Sequence, residues 1–242
     1  MSAIESKHNE KFKSWVALLD ARGIKKQGLA LLSGRKLVAE FLEQNPKRAC
    51  DLLVRERFTD LPTGIRTHVL AAPLFQELDV LGTDAPLLVI EAPRLPEWKP
   101  SAPSGLELIL PLSDPGNLGA ILRSAEAFGV RRVVLTQEAC SPYLPRALRA
   151  ASGATFRIAI EATGPLSEVQ SAGAYCLDMD GENLRTFKWP HDVQLILGEE
   201  GRGLPTDLRA TRLTIPMSGR LESLNAMAAA SIALFSYRGV WP

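Results

Sequence analysis

A chain of 242 residues holds one large domain or two small ones. Hydrophobic residues make up 46% and charged residues 23%, a globular balance that excludes wholesale disorder. Lysine and arginine number 28 against 27 acids, a net charge of +1, which excludes a polycation that binds nucleic acid by charge alone.

The charge is slightly uneven. Residues 1–60 carry twelve basic and eight acidic side chains, whereas 101–242 carry thirteen and fourteen; this permits an RNA-facing N-terminal part. The opening MSAIESKHNEKFKSW lacks an apolar h-region, so no signal peptide is expected. The uncharged run 223–237 is too short for a membrane span. Cys50, Cys140 and Cys176 form no CxxC, so disulfides and thiolate zinc sites are not expected, and the expected compartment is the reducing cytoplasm. His8, His68 and His191 are isolated, with no spacing that points to a metal.

In chain order, helices are predicted over 8–21 and 35–44, the latter from Val38, Phe41 and Leu42 at helical spacing. Short apolar runs at 51–54, 67–70 and 87–90 predict strands, with a helix over 73–80. Residues 92–105 hold four prolines and read as a stiff connector. Beyond it, apolar runs at 106–111, 131–136, 156–160, 174–179, 193–198 and 212–216 suit strands buried on both faces of a parallel sheet. Helices are predicted between and after them, over 118–128, 143–150, 165–171 and 223–237. The expectation is a small α/β domain (1–91), a linker (92–105) and an open α/β domain (106–242), with ligands beyond the carboxyl ends of the strands.

Three segments fall where such ends should lie. In the first, Asp114-Pro115-Gly116-Asn117 is turn chemistry, and Asn117 is predicted to cap the helix that bears Arg123. Arg123 reads by its position as a snorkelling surface residue, with a functional role as the alternative. In the second, Leu197-Gly198-Glu199-Glu200-Gly201-Arg202-Gly203 places three glycines after a strand, which fits a tight turn or a ligand loop. It is neither a Walker loop nor a Rossmann fingerprint. The third, Ile215-Pro216-Met217-Ser218-Gly219, leads through Ser223, Leu224 and Asn225 into an alanine-rich helix. Ser223 and Asn225 fit caps or ligand contacts. The helix is apolar nearly all round, which predicts a subunit interface.

Together these segments, in this order, resemble the three motifs of the SpoU/TrmH family of the SPOUT methyltransferase superfamily. Asn117-x-Gly119 followed by Arg123 is similar to the first motif, LGEEGRGLP (197–205) to the second, and IPMSGRLESLNAMAAA (215–230) to the third. RAASGATFRI, 149–158, resembles the family's connecting segment. The resemblance implies transfer of a methyl group from S-adenosyl-L-methionine to a ribose 2′-hydroxyl of rRNA or tRNA, with rRNA favoured. It also implies a trefoil knot, an exception to the usual rule, and a homodimer. By motif matching it implies cofactor contacts at Leu197, Gly198, Gly201, Ile215, Met217 and Leu224. Asn117, Arg123, Glu199, Ser223 and Asn225 fall at the family's catalytic positions. The N-terminal domain resembles, more weakly, the family's ribosomal-protein-like RNA-binding domain, with Ser33 where those domains carry glutamate. Its basic residues, Lys25, Lys26, Arg35, Lys36, Lys47, Arg48, Arg55 and Arg57, suit phosphate contact or form a solvated face.

The family assigns the base to the arginine at Arg123. Arginine is effectively always protonated in proteins, so a phosphate clamp that also stabilises the developing alkoxide is the preferred role. The rival readings are a non-catalytic RNA-binding protein of the same fold and a SPOUT base methyltransferase.

Overall fold

The computed structural model describes residues 3–55, 64–169, 173–198, 203–218 and 223–241. The chain divides into two compact units, one of residues 1–94 with 141–153, the other of 95–140 with 154–242.

The first unit opens with α1 (Glu10–Val16), a 3-10 turn (Ala17–Leu19) and α2 (Ala21–Gln27). One helix was expected over 8–21. Instead Asp20 is extended, and its carboxylate accepts a hydrogen bond from the Arg22 N–H at 2.7 Å, starting a second helix. β1 (Leu29–Ser33), α3 (Arg35–Gln44), β2 (Ala49–Val54), β3 (Arg66–Val69), α4 (Ala72–Leu78) and β4 (Leu87–Glu91) follow. The sheet order is β1-β4-β2-β3, antiparallel except for β2 with β3. Phe12, Trp15 and Leu18 from the helical start and Phe75 and Leu78 from α4 close one face over Leu31, Leu53, Leu87 and Val89.

The second unit carries β5 (Leu106–Leu110), α5 (Pro115–Ala127) and β6 (Arg132–Leu135). Next comes α6 (Pro145–Ala151), which groups with the first unit and packs there against β1. The second unit resumes with β7 (Ala159–Ala162), β8 (Tyr175–Asn183), β9 (Val193–Ile196), β10 (Thr211–Thr214) and α7 (Ala226–Arg238). All six strands are parallel, in the order β10-β8-β9-β5-β6-β7. The buried runs seen in the sequence are these strands, with two differences. The strand expected at 156–160 begins at Ala159 because a 3-10 turn, Ala154–Phe156, occupies its start. Where a helix was expected over 165–171, the described residues form only a 3-10 turn, Leu166–Glu168, after which Val169 is extended.

The proline-rich stretch is more than a connector. Trp98 is 5% exposed and packs against Ile109, Val134 and Ile196. Its backbone N–H donates to the Ala162 carbonyl at 2.7 Å, and the Ala162 N–H donates to the Pro96 carbonyl at 2.8 Å. These bonds cover part of the open edge that β7 would otherwise present.

The order of the sheet reverses beside β5. The chain builds β6 and β7 on one side of it, then returns to lay β9, β8 and β10 on the other. Ligands in open α/β sheets bind at such a reversal, beyond the carboxyl ends. On that far side β8 is bulged. It pairs with β10 at Tyr175–Thr211 and Cys176–Arg212, then resumes at Glu182–Leu213 and Asn183–Thr214. Residues 177–181 are thus looped out between successive partners. Gly181 closes the loop so tightly that a Cβ there would lie 2.3 Å from the Arg212 carbonyl oxygen. Gly181→Ala should therefore cost about 1–3 kcal/mol in urea unfolding. Asp180→Ala, at an exposed neighbour, should cost under about 0.5 kcal/mol.

Candidate active site

The first motif begins where β5 ends. Asp114, not Asn117, caps α5: its carboxylate accepts a hydrogen bond from the Asn117 N–H at 2.8 Å. Pro115 follows at the first helical position, where its missing N–H costs nothing. The helix thus starts three residues before the expected 118. Asn117 sits in its first turn, and its side chain is turned to another use. Leu118, Ile121, Leu122 and Ala125 bury the helix's inner face. Arg123 is exposed and makes no ion pair among the described residues.

The second motif follows β9, the neighbour of β5. Leu197 is buried, and its N–H extends the ladder to the Ile109 carbonyl at 3.1 Å. Gly198 comes next, and a Cβ there would lie 3.2 Å from the Gly203 carbonyl carbon. Gly203 itself has φ +72°, a conformation that favours glycine. The two ends of the loop therefore meet backbone to backbone. Glu199 and Gly201, both named from the sequence, lie outside the described residues.

The third motif follows β10 at the far edge of the sheet, and Asn225 is the N-cap of α7. Its Oδ1 accepts from the Met227 N–H at 2.9 Å and the Ala228 N–H at 3.4 Å. Its Nδ2 donates to Asn117 Oδ1 at 3.2 Å. A chain that leaves β10 is thereby brought back to the end of β5, three strands away. α7 then packs along α5, with Ser124 Oγ 3.0 Å from Ser231 Oγ and the Phe128 and Phe235 rings edge to face.

The second and third motifs border a cavity of about 590 Å³. Leu197, Gly198, Ile215, Met217, Ser223, Leu224 and Asn225 line it, so the structure gathers every described residue that motif matching named for the cofactor. Sequence reasoning missed the bulge, which adds Leu177, Asp178 and Met179, and also Thr214 and Leu204. The apolar run read as a strand stops at 179, two residues short of Gly181, so no glycine inside it marked the bulge. The bulge is pinned from β10, where Arg212 ion-pairs with Asp178 and the Thr214 hydroxyl donates to the Met179 carbonyl at 2.7 Å. Beneath it, burial raises the Cys176 thiol above its ordinary range, so this cysteine packs as a neutral group and not as a thiolate. Among the described residues, no three His, Cys, Asp or Glu side chains are placed to hold a metal, and no helix is long and apolar enough to cross a membrane.

A cavity of this size, mostly apolar with a few polar groups, has the character of a small-molecule site. The model of the SpoU rRNA Methylase family matches residues 108–235. The chain is 31% identical over 254 residues to the 23S rRNA (guanosine(2553)-2′-O)-methyltransferase RlmP of Bacillus subtilis, covering 99% of this chain and 100% of that protein. It is 36% identical over 241 residues to ribosomal RNA small subunit methyltransferase G 2 of Syntrophobacter fumaroxidans, covering 97% of this chain but 48% of that protein, so it spans about half that relative's length. Among solved structures, an RNA methyltransferase of the TrmH family from Porphyromonas gingivalis superposes with a TM-score of 0.77 at 27% identity, covering 97% of this chain and 99% of the other. On these matches, and with its three motifs brought together at the reversal of a parallel sheet, the chain belongs to the SpoU rRNA methylase family.

Proposed function

We propose that the protein transfers the methyl group of S-adenosyl-L-methionine to a ribose 2′-hydroxyl of RNA, with rRNA favoured over tRNA. The observation that carries this is the Asn117–Asn225 hydrogen bond, which joins the first and third motifs beside a cavity of cofactor size. The ribose chemistry of the full-length relative from Bacillus subtilis supports the same acceptor.

The cavity fits the cofactor by its donor set. Its apolar walls suit an adenine ring, and the bare backbone at Gly198, where an added Cβ would lie 3.2 Å from the Gly203 backbone, admits close polar contact. Leu197, Gly198, Ile215, Met217 and Leu224 would hold it, and Gly201 belongs to the same loop. When bound, the cofactor supplies an electrophilic methyl on a sulfonium. Everything else falls to the chain. Asn117 and Asn225 orient the acceptor ribose, Ser223 positions the nucleotide and Glu199 steadies its loop. Arg123 clamps a substrate phosphate and stabilises the hydroxyl oxygen as it loses its proton. It lies six residues beyond Asn117, about 9 Å along the helix by rise, and its exposure leaves the guanidinium open to RNA.

In this reading residues 106–242 form the catalytic domain, with the C-terminal trefoil knot that the family resemblance implies. Residues 1–91 bind RNA, and 92–105 join the two. The protein works in the cytoplasm as a homodimer. The observation for the dimer is the outer face of α7, where Phe235 is 69% exposed and Met227 and Ile232 are also exposed. An apolar patch of this kind marks an interaction surface.

The assignment is checked by incubating the pure protein with labelled S-adenosylmethionine and rRNA, then mapping methylated nucleosides. Label on a ribose oxygen is expected; label confined to base atoms would mean a base methyltransferase. Arg123→Ala should lower kcat by about 10²–10³, as loss of a preorganised charge donor does. Its cofactor affinity should stay within about twofold of wild type, and its stability within about 0.5 kcal/mol. Arg123→Lys should be nearly as impaired, because lysine lacks the bidentate fork. Asn225→Asp keeps the helix cap but sets a carboxylate against Asn117 Oδ1, so melting should change little while turnover falls by about tenfold or more. Light scattering should report a dimer at micromolar concentration, and Phe235→Glu should shift it toward monomer.

A further inference from the structure

Asp178 is the only charged residue among the described lining residues of the cavity. It stands on the β8 bulge, which the fold builds at some cost: five residues leave the ladder, and Gly181 must pass within van der Waals distance of the β10 backbone. β10 holds this bulge from two points. Arg212 pairs with the Asp178 carboxylate, and Thr214 binds the carbonyl of the next residue. Its Oδ1 accepts the Met179 N–H at 2.6 Å and its Oδ2 takes Arg212, and each carboxylate oxygen keeps a second acceptor site; a carboxylate fixed in this way on the lining of a mostly apolar cavity is a preorganised acceptor.

Its place along the cavity says which part of a ligand it meets. Asn117 and Asn225 mark the end beside β5, where the acceptor must sit. β8 lies two strands from β5, with β9 between. At about 4.8 Å per strand this sets the bulge about 10 Å from the transfer end, further than the sulfonium stands from its own methyl. The cofactor's adenosine half extends away from the reacting methyl by a comparable length, and it carries hydrogen-bond donors on the ribose and on the adenine amino group.

We propose that Asp178, oriented by Arg212, accepts hydrogen bonds from the adenosine half of S-adenosyl-L-methionine and thereby sets cofactor affinity without taking part in methyl transfer. The inference rests on the reading of the function given above. Because the carboxylate meets adenosine and not the sulfonium, it contributes equally to binding of the charged cofactor and of its neutral demethylated product. That equality separates it from simple charge attraction.

The test is calorimetry with S-adenosylmethionine and S-adenosylhomocysteine on wild type, Asp178→Asn and Asp178→Ala, alongside thermal melting. Wild type should bind both ligands; if it binds neither, the functional reading falls and this inference with it. Both variants should lose about 10- to 100-fold in affinity, the range for a hydrogen bond to a charged group. The loss should be the same for the two ligands within about twofold. In steady state the KM for cofactor should rise by that factor while kcat falls less than about threefold. S-inosylhomocysteine, which lacks the amino donor, should be affected as strongly as its parent if the ribose hydroxyls are the donors and barely at all if the amino group is; either result keeps Asp178 on adenosine. Lower melting temperature with unchanged affinities would reduce Asp178 to a brace and overturn the proposal. A loss confined to S-adenosylmethionine would overturn it in favour of sulfonium sensing.

Discussion

The site depends on the return of the chain from the far edge of the sheet to its centre. β10 is three strands from β5, yet the segment that follows it must meet the segment that follows β5. A single primary amide secures the meeting. Asn225 uses its oxygen to start α7 and its nitrogen to hold Asn117, so one residue satisfies helix N–H groups and joins the two halves of the sheet. Asn117 is in turn held by its own N–H on Asp114, the cap of α5. Two helix starts, which are needed for local reasons in any α/β fold, are thus made to face each other.

That crossing also adjoins the cavity. Leu197 and Gly198 after β9, Ile215 and Met217 after β10, and Leu177 to Met179 of the β8 bulge all border it. A straight β8 would place Leu177 to Met179 in the ladder, where a parallel strand buries its side chains on two faces. The bulge instead turns them to the ligand. Its cost falls on one residue, since Gly181 is where the bulged strand rejoins β10. Glycine there is demanded by the Arg212 backbone and not by the ligand.

Much of this was legible in the residues, because the signals are local. Strands buried on both faces read as continuous apolar runs, and the three chemical segments follow β5, β9 and β10 as they should. What escaped depends on contacts distant in sequence. Asn117 looked like a cap because turn residues precede it, but Asp114 lies one turn earlier and takes the role, leaving Asn117 to a partner at position 225. The bulge at 177–181 was hidden inside an apolar run, since nothing in that run shows that β10 will come so close. The grouping of 141–153 with the first unit is likewise invisible to periodicity, because a helix pattern names a buried face without naming what buries it.

α7 carries two duties that pull on its composition in different ways. Its N-cap, Asn225, is one half of the asparagine pair, and its last turn is tied down by Tyr237, whose hydroxyl donates to the His191 carbonyl at 2.5 Å, and by Ser236, which accepts from the Trp189 indole at 3.0 Å. Between these anchors Ala230, Ala233 and Leu234 pack inward. The opposite face presents Met227, Ile232 and Phe235. Part of this face serves the fold, and its exposed remainder is the surface on which the proposed dimer is placed. Phe235 rests edge-on against Phe128 at the end of α5, the helix that bears Asn117 and Arg123. A partner covering Phe235 would therefore press on both helices that carry the site, and in the proposed dimer assembly and catalysis share one surface.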